Sequence, residues 1–292
     1  MQLLKKQNIL RTILVISITL FLFSAYFTFF GSSETVKVSV TDIVNTILAG
    51  LLVIIIGFCY YTLDSKYDSD SKFILALYAS FLCFFIAELI WAYYEAFLGV
   101  EIPTPSLADI LYYSAYFFIL AGLAYKISKT FIYRKKLFIF VMLTIATLVN
   151  VYYLVFHLLE DIVPLSYEEA FAYILNYGYI FCDIYVLALT FVLIYNLIGN
   201  SNKMVREYLV LALAFLVLGV YDFYFAELIL FQGSFYDNFL LILYSLNYTI
   251  LIYAVYLKSI NLLSFNKISE SEDINKIFKP PKSTIKIKRG RK

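Results

Sequence analysis

The chain is poor in the residues from which most enzyme sites are built. Its 292 residues include one histidine, three cysteines, one tryptophan and five prolines. A lone His157 cannot supply a His-rich zinc site or a di-iron centre. Cys59, Cys83 and Cys182 are scattered through apolar runs. They form neither a disulfide framework nor a metal pattern and read as small packing residues. Gly-x-Ser-x-Gly, Walker A and Gly-x-Gly-x-x-Gly are all absent, so the common hydrolase, nucleotide and dinucleotide signatures are missing. No lysine sits in the middle of an apolar run, which argues against a retinal Schiff base. Only 15% of residues are charged, against about 25% in a soluble domain. No cofactor, metal or nucleic-acid partner is implied.

What the chain does have is apolar length. It is 62% hydrophobic and 20% aromatic, with 28 tyrosines and 28 phenylalanines. Apolar runs of roughly 20 residues recur, the membrane-span signature. Eight spans are expected, at 9–30, 41–62, 73–98, 107–127, 137–158, 169–198, 205–231 and 237–263. The runs are continuous and lack period-two alternation, which excludes a β-barrel. The expected class is therefore all-α and polytopic, in a cell membrane, with the lipid bilayer as main partner. The first run follows Lys5, Lys6 and Arg11 as a signal peptide would. It exceeds the usual h-region of about 7–15 residues and no Ala-x-Ala site follows, which favours a retained helix.

Charge sets the expected orientation. With the N-terminus inside, 22 of the 23 Lys and Arg fall on inner segments and only Lys37 lies outside. Both termini are then cytoplasmic. Segment 265–292 carries nine Lys and Arg against Glu270, Glu272 and Asp273. Such a tail suits anionic lipid headgroups or a cytoplasmic signalling partner, and it also holds topology.

The second half echoes the first. Asp109 and Tyr116 map onto Asp237 and Tyr244 at an offset of 128, as Gly50 does onto Gly178. Glu95 maps onto Glu227 at an offset of 132. Four spans per unit is an even number, so the units enter in the same sense, a parallel four-plus-four repeat. The expected division is 1–132, 133–264 and the tail 265–292.

Each span entering from outside begins Ser-x-x-acid: Ser39 to Asp42, Ser106 to Asp109, Ser166 to Glu169 and Ser234 to Asp237. This is a capping-box pattern, in which the acid reaches back to a free N–H and meets the positive helix end. Near lipid those N–H groups have little water to satisfy them. The four acids therefore read as caps first.

Glu88, Glu95, Asp183, Asp222 and Glu227 have no such local explanation. An ionised acid near mid-bilayer costs about 2.5–3.5 kcal/mol on the translocon scale. Glu88, Trp91 and Glu95 share the i, i+3, i+7 face of one helix. Tyr112, Tyr113 and Tyr116 make a stripe below Asp109, and Asn247 lies beside Tyr244 and Tyr248. No Lys or Arg falls at these depths, so the acids must be protonated, bonded to Tyr or Asn, solvated, or paired with a bound cation. One reading is an outward-facing, tyrosine-lined acidic cavity in each repeat. The first would use Glu88, Trp91, Tyr94, Glu95 and Asp109. The second would use Asp222, Tyr224, Glu227 and Asp237, with Asp183 and Asn247 nearby. It would take a cationic or hydroxyl-rich small ligand from outside, aided by cation–π contact. The bland reading is structural glue between helices.

Trp91, Tyr94 and Glu95, followed by Pro103, Pro105, Ser106, Ala108, Asp109, Tyr112 and Tyr113, resemble a polytopic membrane module of archaeal and bacterial signalling proteins. There the module stands alone or precedes a histidine kinase or diguanylate cyclase domain. The resemblance covers about 30 residues closely and implies a sensory role. Segment 265–292 is far too short for such an output domain, so signalling is expected to use a separate partner. The leading expectation is a receptor-like module without catalytic activity. The alternatives are a transporter or channel that uses the intramembrane carboxylates, and an intramembrane lipid-modifying enzyme.

Overall fold

A computed structural model describes residues 2–31, 33–63, 69–100, 102–103, 105–130, 136–158, 166–198, 202–228 and 234–271. Among them are eight helices long and apolar enough to cross a membrane, and no strand. They are α1 (Gln2–Phe30), α2 (Glu34–Tyr61), α3 (Ser69–Ala92), α4 (Leu107–Thr130), α5 (Lys136–Tyr153), α6 (Tyr167–Leu197), α7 (Asn202–Leu228) and α8 (Ser234–Ser271). Two of them change winding at one end. α3 continues as a π-helix over Tyr93–Leu98, and α5 over Leu154–Leu158. Gly99 ends the first at φ 65°, where a side chain would be strained.

The helices close a ring in the order α2, α3, α4, α6, α7, α8 and back to α2. α1 packs outside it on both α2 and α8, whereas α5 packs on α6. Asp70 at the start of α3 meets Lys126 near the end of α4, and Lys258 late in α8 meets Glu207 at the start of α7. The helices therefore run alternately up and down, and α1 begins at the same end at which α8 finishes. We call this the terminal end and the opposite one the far end.

Lipid-type burial is evident in what the outside shows. Phe117, Leu137 and Phe140 are 68%, 73% and 68% exposed. In water such a surface would be costly; in acyl chains it is neutral, and packing rather than hydrophobicity joins the helices. Small residues allow close approach. A Cβ on Gly122 of α4 would lie 2.8 Å from the Ala76 Cβ of α3. α1 docks through small hydroxyls: the Ser24 and Ser245 Oγ atoms are 3.2 Å apart, and Ser245 donates to Asn45 Oδ1 at 2.6 Å.

Three expectations change in detail. α2 begins at Glu34 with Ser33 as its cap, the Val36 N–H donating to Ser33 Oγ at 3.4 Å. Asp42 is thus two turns inside the helix and does not cap it. Glu95 lies inside the π segment, where i→i+5 bonds replace i→i+4 bonds, whereas Glu88 lies in the α-helical part of α3. Gly50 and Gly178 do not share an environment, since Gly50 faces Phe85 and Gly178 faces the Tyr113 hydroxyl.

Because Ala76 cannot retract, Gly122→Val should destabilise the bundle by about 1–3 kcal/mol. Phe140→Leu on the lipid face should not. Unfolding midpoints in detergent check this, and equal midpoints would show that α3 and α4 are not closely packed.

Candidate functional site

The interior of the ring, towards the far end, is filled by carboxyl groups and phenols. Glu88 of α3 is 4% exposed. Its Oε1 accepts from Tyr112 of α4 at 3.0 Å, from Tyr248 of α8 at 2.9 Å, and from Tyr244 of α8. Tyr244 in turn stacks on Tyr221 of α7, ring centroids 4.3 Å apart. Three O–H donors on one oxygen are what a buried carboxyl group needs where no cation is at hand.

A second group lies beside the first. The Tyr116 hydroxyl of α4 sits 2.8 Å from Asp183 Oδ1 on α6 and 2.7 Å from Asp222 Oδ2 on α7. Tyr116 thereby bridges the two carboxyls. Asp183 Oδ2 has no hydroxyl or amide donor. Asp42 of α2 is also buried, with its Oδ2 unpartnered, and Glu95 lies in the π segment. Asp42, Glu88 and Glu95 lie close enough to feel one another's charge.

Nearest the far end, Asp109 does what its motif predicts. Its Oδ2 accepts from the Ser106 N–H at 2.6 Å and from Ser106 Oγ at 3.0 Å, and Oδ1 accepts from Tyr179 of α6 at 2.7 Å. Tyr179 stacks on Tyr113 and Tyr116, at 4.8 and 6.2 Å between centroids. A continuous set of rings therefore connects the cap to the Asp183–Asp222 pair.

The remaining expected site residues fall around this core. Trp91 is half-buried, its ring 6.3 Å from that of Phe225. Tyr94 packs with Trp91 near Ile102 and Ala108. Tyr224 makes ring contacts with Phe223 and Phe239. Asn247 is buried, with its Oδ1 unpartnered. Glu227 lies on α7 and Asp237 on α8, and the side chains of both fall outside the described residues, as do those of Glu169 and His157. The grouping differs from one acid set per half: Glu88 draws Tyr244 and Tyr248 from the second half, while Asp183 and Asp222 draw Tyr116 from the first. Among the described residues, no group of three or more His, Cys, Asp or Glu is placed to hold a metal ion.

Sequence reasoning missed a polar layer at the terminal end. Asp70 accepts from Lys126 and, at 2.9 Å, from Lys258. Lys258 also pairs with Glu207 at 3.3 Å, and Asn261 donates to Glu207. Lys126 and Lys258 lie 132 residues apart, the same offset as Glu95 and Glu227, and that spacing was the available signal.

Between the two polar layers the ring is filled by Leu52, Phe73, Leu77, Phe81, Ile119, Leu123, Phe215 and Leu251, all under 4% exposed. Ten residues separate Tyr116 from Lys126, and ten separate Tyr248 from Lys258. At 1.5 Å per residue this apolar layer is about 15 Å thick.

Both polar layers can be tested by substitution. Glu88→Leu leaves three buried phenols without an acceptor, at about 1–3 kcal/mol for each unmet group, whereas Glu88→Gln keeps a carbonyl oxygen in place. The Leu variant should therefore unfold well below the Gln variant, and equal midpoints would show that the bonds to Glu88 do not hold the core. Asp70→Asn leaves two lysines facing one carboxylate and should cost about 3–5 kcal/mol. Adding Lys126→Met restores charge balance and should recover part of it. No family model, curated protein or solved structure matches the chain, so the functional reading rests on this geometry.

Proposed function

We propose that the chain is a receptor-like, sensory membrane module, the role implied by the resemblance carried by Trp91, Glu95 and the segment from Pro103 to Tyr113. The observation that supports it best is the sealed inner side of the tyrosine–carboxyl core. The core reaches the far end through Asp109 and Tyr179, but an apolar layer and then an ion cluster close it towards the terminal end. A transport path would need polar groups across that layer, which is mainly Leu, Ile and Phe and holds only the short hydroxyl side chains of Ser80 and Thr190 among its described polar residues.

The parallel repeat belongs to this reading. α1 and α5 lie outside the ring, and α2–α3–α4 and α6–α7–α8 are its two halves. Tyr116 and Tyr244, equivalent at an offset of 128, each donate to an acid in the opposite half, Asp222 and Glu88. Ligand-induced change in these bonds is thereby a change in how the halves meet. The terminal end is cytoplasmic on the distribution of Lys and Arg, and the basic tail from 265 onward is the surface for a signalling partner or anionic lipid. The tail lies outside the described residues beyond Ser271.

The test uses spin labels at Lys129→Cys on α4 and Arg206→Cys on α7, both exposed at the terminal end, with the native cysteines replaced by Ala. Glu88→Gln should shift the distance distribution between them by helix movements of about 1–2 Å. Proteoliposomes of the unaltered chain should show no cation or proton flux. An unchanged distribution, or a flux abolished by Glu88→Gln, would overturn the sensory reading, the latter in favour of transport.

A further inference from the structure

We propose that the groove between α4 and α6 is a lateral binding site for a membrane amphiphile: an alkyl chain lying along aromatic walls, with an N–H or O–H donor head on Asp109. The inference rests on the sensory reading and supplies its ligand class. It also changes the route of entry, from the aqueous side to the bilayer.

The groove holds about 810 Å³, within the roughly 300–1,000 Å³ of small-molecule sites. Ser106, Asp109 and Ser114 lie along it with Phe117, Phe118 and Phe171. Its rim is apolar and open sideways, since Leu107, Ile110 and Phe117 are 62%, 64% and 68% exposed. In a membrane-spanning chain that direction is acyl chain, so the material available to fill the groove is lipid.

The groove exists because the two outer helices are placed differently. α1 covers the junction of α2 and α8, whereas the corresponding junction of α6 and α4 is left without α5. Nor is it a loose gap. The Tyr113 hydroxyl donates to the Leu175 carbonyl at 2.6 Å and sits over Gly178, tying α4 to α6 at the groove itself.

Asp109 fixes the head group. Among the described lining residues it is the one carboxylate and none is Lys or Arg, and it is 7% exposed. Its Oδ2 takes two donors from Ser106 and its Oδ1 takes one from Tyr179. A carboxylate oxygen has two acceptor positions, so Oδ1 retains one, directed by charge towards a donor. An anionic head would be repelled. A second donor on Oδ1 sits beside Tyr179, whose ring stacks on Tyr116 between Asp183 and Asp222, and so adjoins the core.

The test uses the full chain in phosphatidylcholine nanodiscs and two probes, a long-chain primary alkylamine and its methyl-ether analogue, each with a photoreactive group on the chain. The amine should label residues 107–118 and 171–175 about tenfold more than the ether does, the worth of one charge-assisted hydrogen bond. Ser114→Phe, which fills the groove, should remove that excess while the unfolding midpoint holds, and Leu175→Phe serves if it does not. Equal labelling by both probes, or labelling spread evenly over lipid-facing α5, would overturn the site, and this comparison needs no variant. Amine labelling without any change in the Lys129→Cys to Arg206→Cys distance would leave the groove standing and remove the sensory reading. The reverse pattern would remove the groove alone.

Discussion

The constraint on which this structure turns is that its bundle interior holds carboxyl groups where no cation reaches. Glu88, Asp183 and Asp222 lie inside a ring of apolar helices, and the nearest lysines are an apolar layer away. Water or a counter-ion would ordinarily satisfy such groups; here phenols do. Tyrosine suits the task because it is long enough to cross from α4 or α8 to α3, α6 or α7, is apolar along its flank, and carries one donor at its tip. The tyrosines of the core tie helices together: Tyr244 and Tyr248 join α8 to α3, Tyr112 joins α4 to α3, and Tyr116 joins α4 to α6 and α7.

Polar layers at two depths follow from that choice. The core needs dryness around it, and the Leu, Ile and Phe layer beneath supplies it. The same four helices, α3, α4, α7 and α8, then carry Asp70, Lys126, Glu207 and Lys258 on the other side of the layer. On each of these helices a polar contact, an apolar stretch and an ion pair occur in the same order along the membrane normal. A rearrangement of phenol bonds above would have to be accommodated by rigid helices whose lower ends are held by buried charge, and packed interiors of this kind are bistable rather than continuously deformable.

How much of this was legible from sequence depends on the range of the interaction. The spans were legible, because a run of apolar residues is a local property, and all eight helices lie where the runs are. The Ser106–Asp109 cap was legible for the same reason, being a contact across three residues. The similar pattern at Ser39–Asp42 misled, because Ser33 offers an earlier cap and the local motif does not say which serine starts the helix. The acids were legible as anomalies, but their partners were not. Nothing local links Glu88 to Tyr244 or Asp183 to Tyr116, since those bonds depend on which helices become neighbours in the ring. The Asp70–Lys126–Lys258–Glu207 cluster escaped for a further reason: near a helix end a lysine is already explained by the positive-inside rule, so the 132-residue spacing of Lys126 and Lys258 was its one trace.

The π segment at Tyr93–Leu98 is one local departure beside the site. Glu88 stands in the α-helical part of α3, where it accepts from the tyrosines of α4 and α8, and Glu95 stands seven residues on, inside the π segment. The segment is followed by Gly99 and the Pro103–Pro105 approach to α4, the stretch that also sets Ser106 and Asp109 at the mouth of the groove. The winding change, the cap and the groove are consecutive in the chain. Asp109 also touches Tyr179, whose ring stacks on that of Tyr116, and Tyr116 bonds Asp222, so the cap and the polar core are linked by consecutive side-chain contacts.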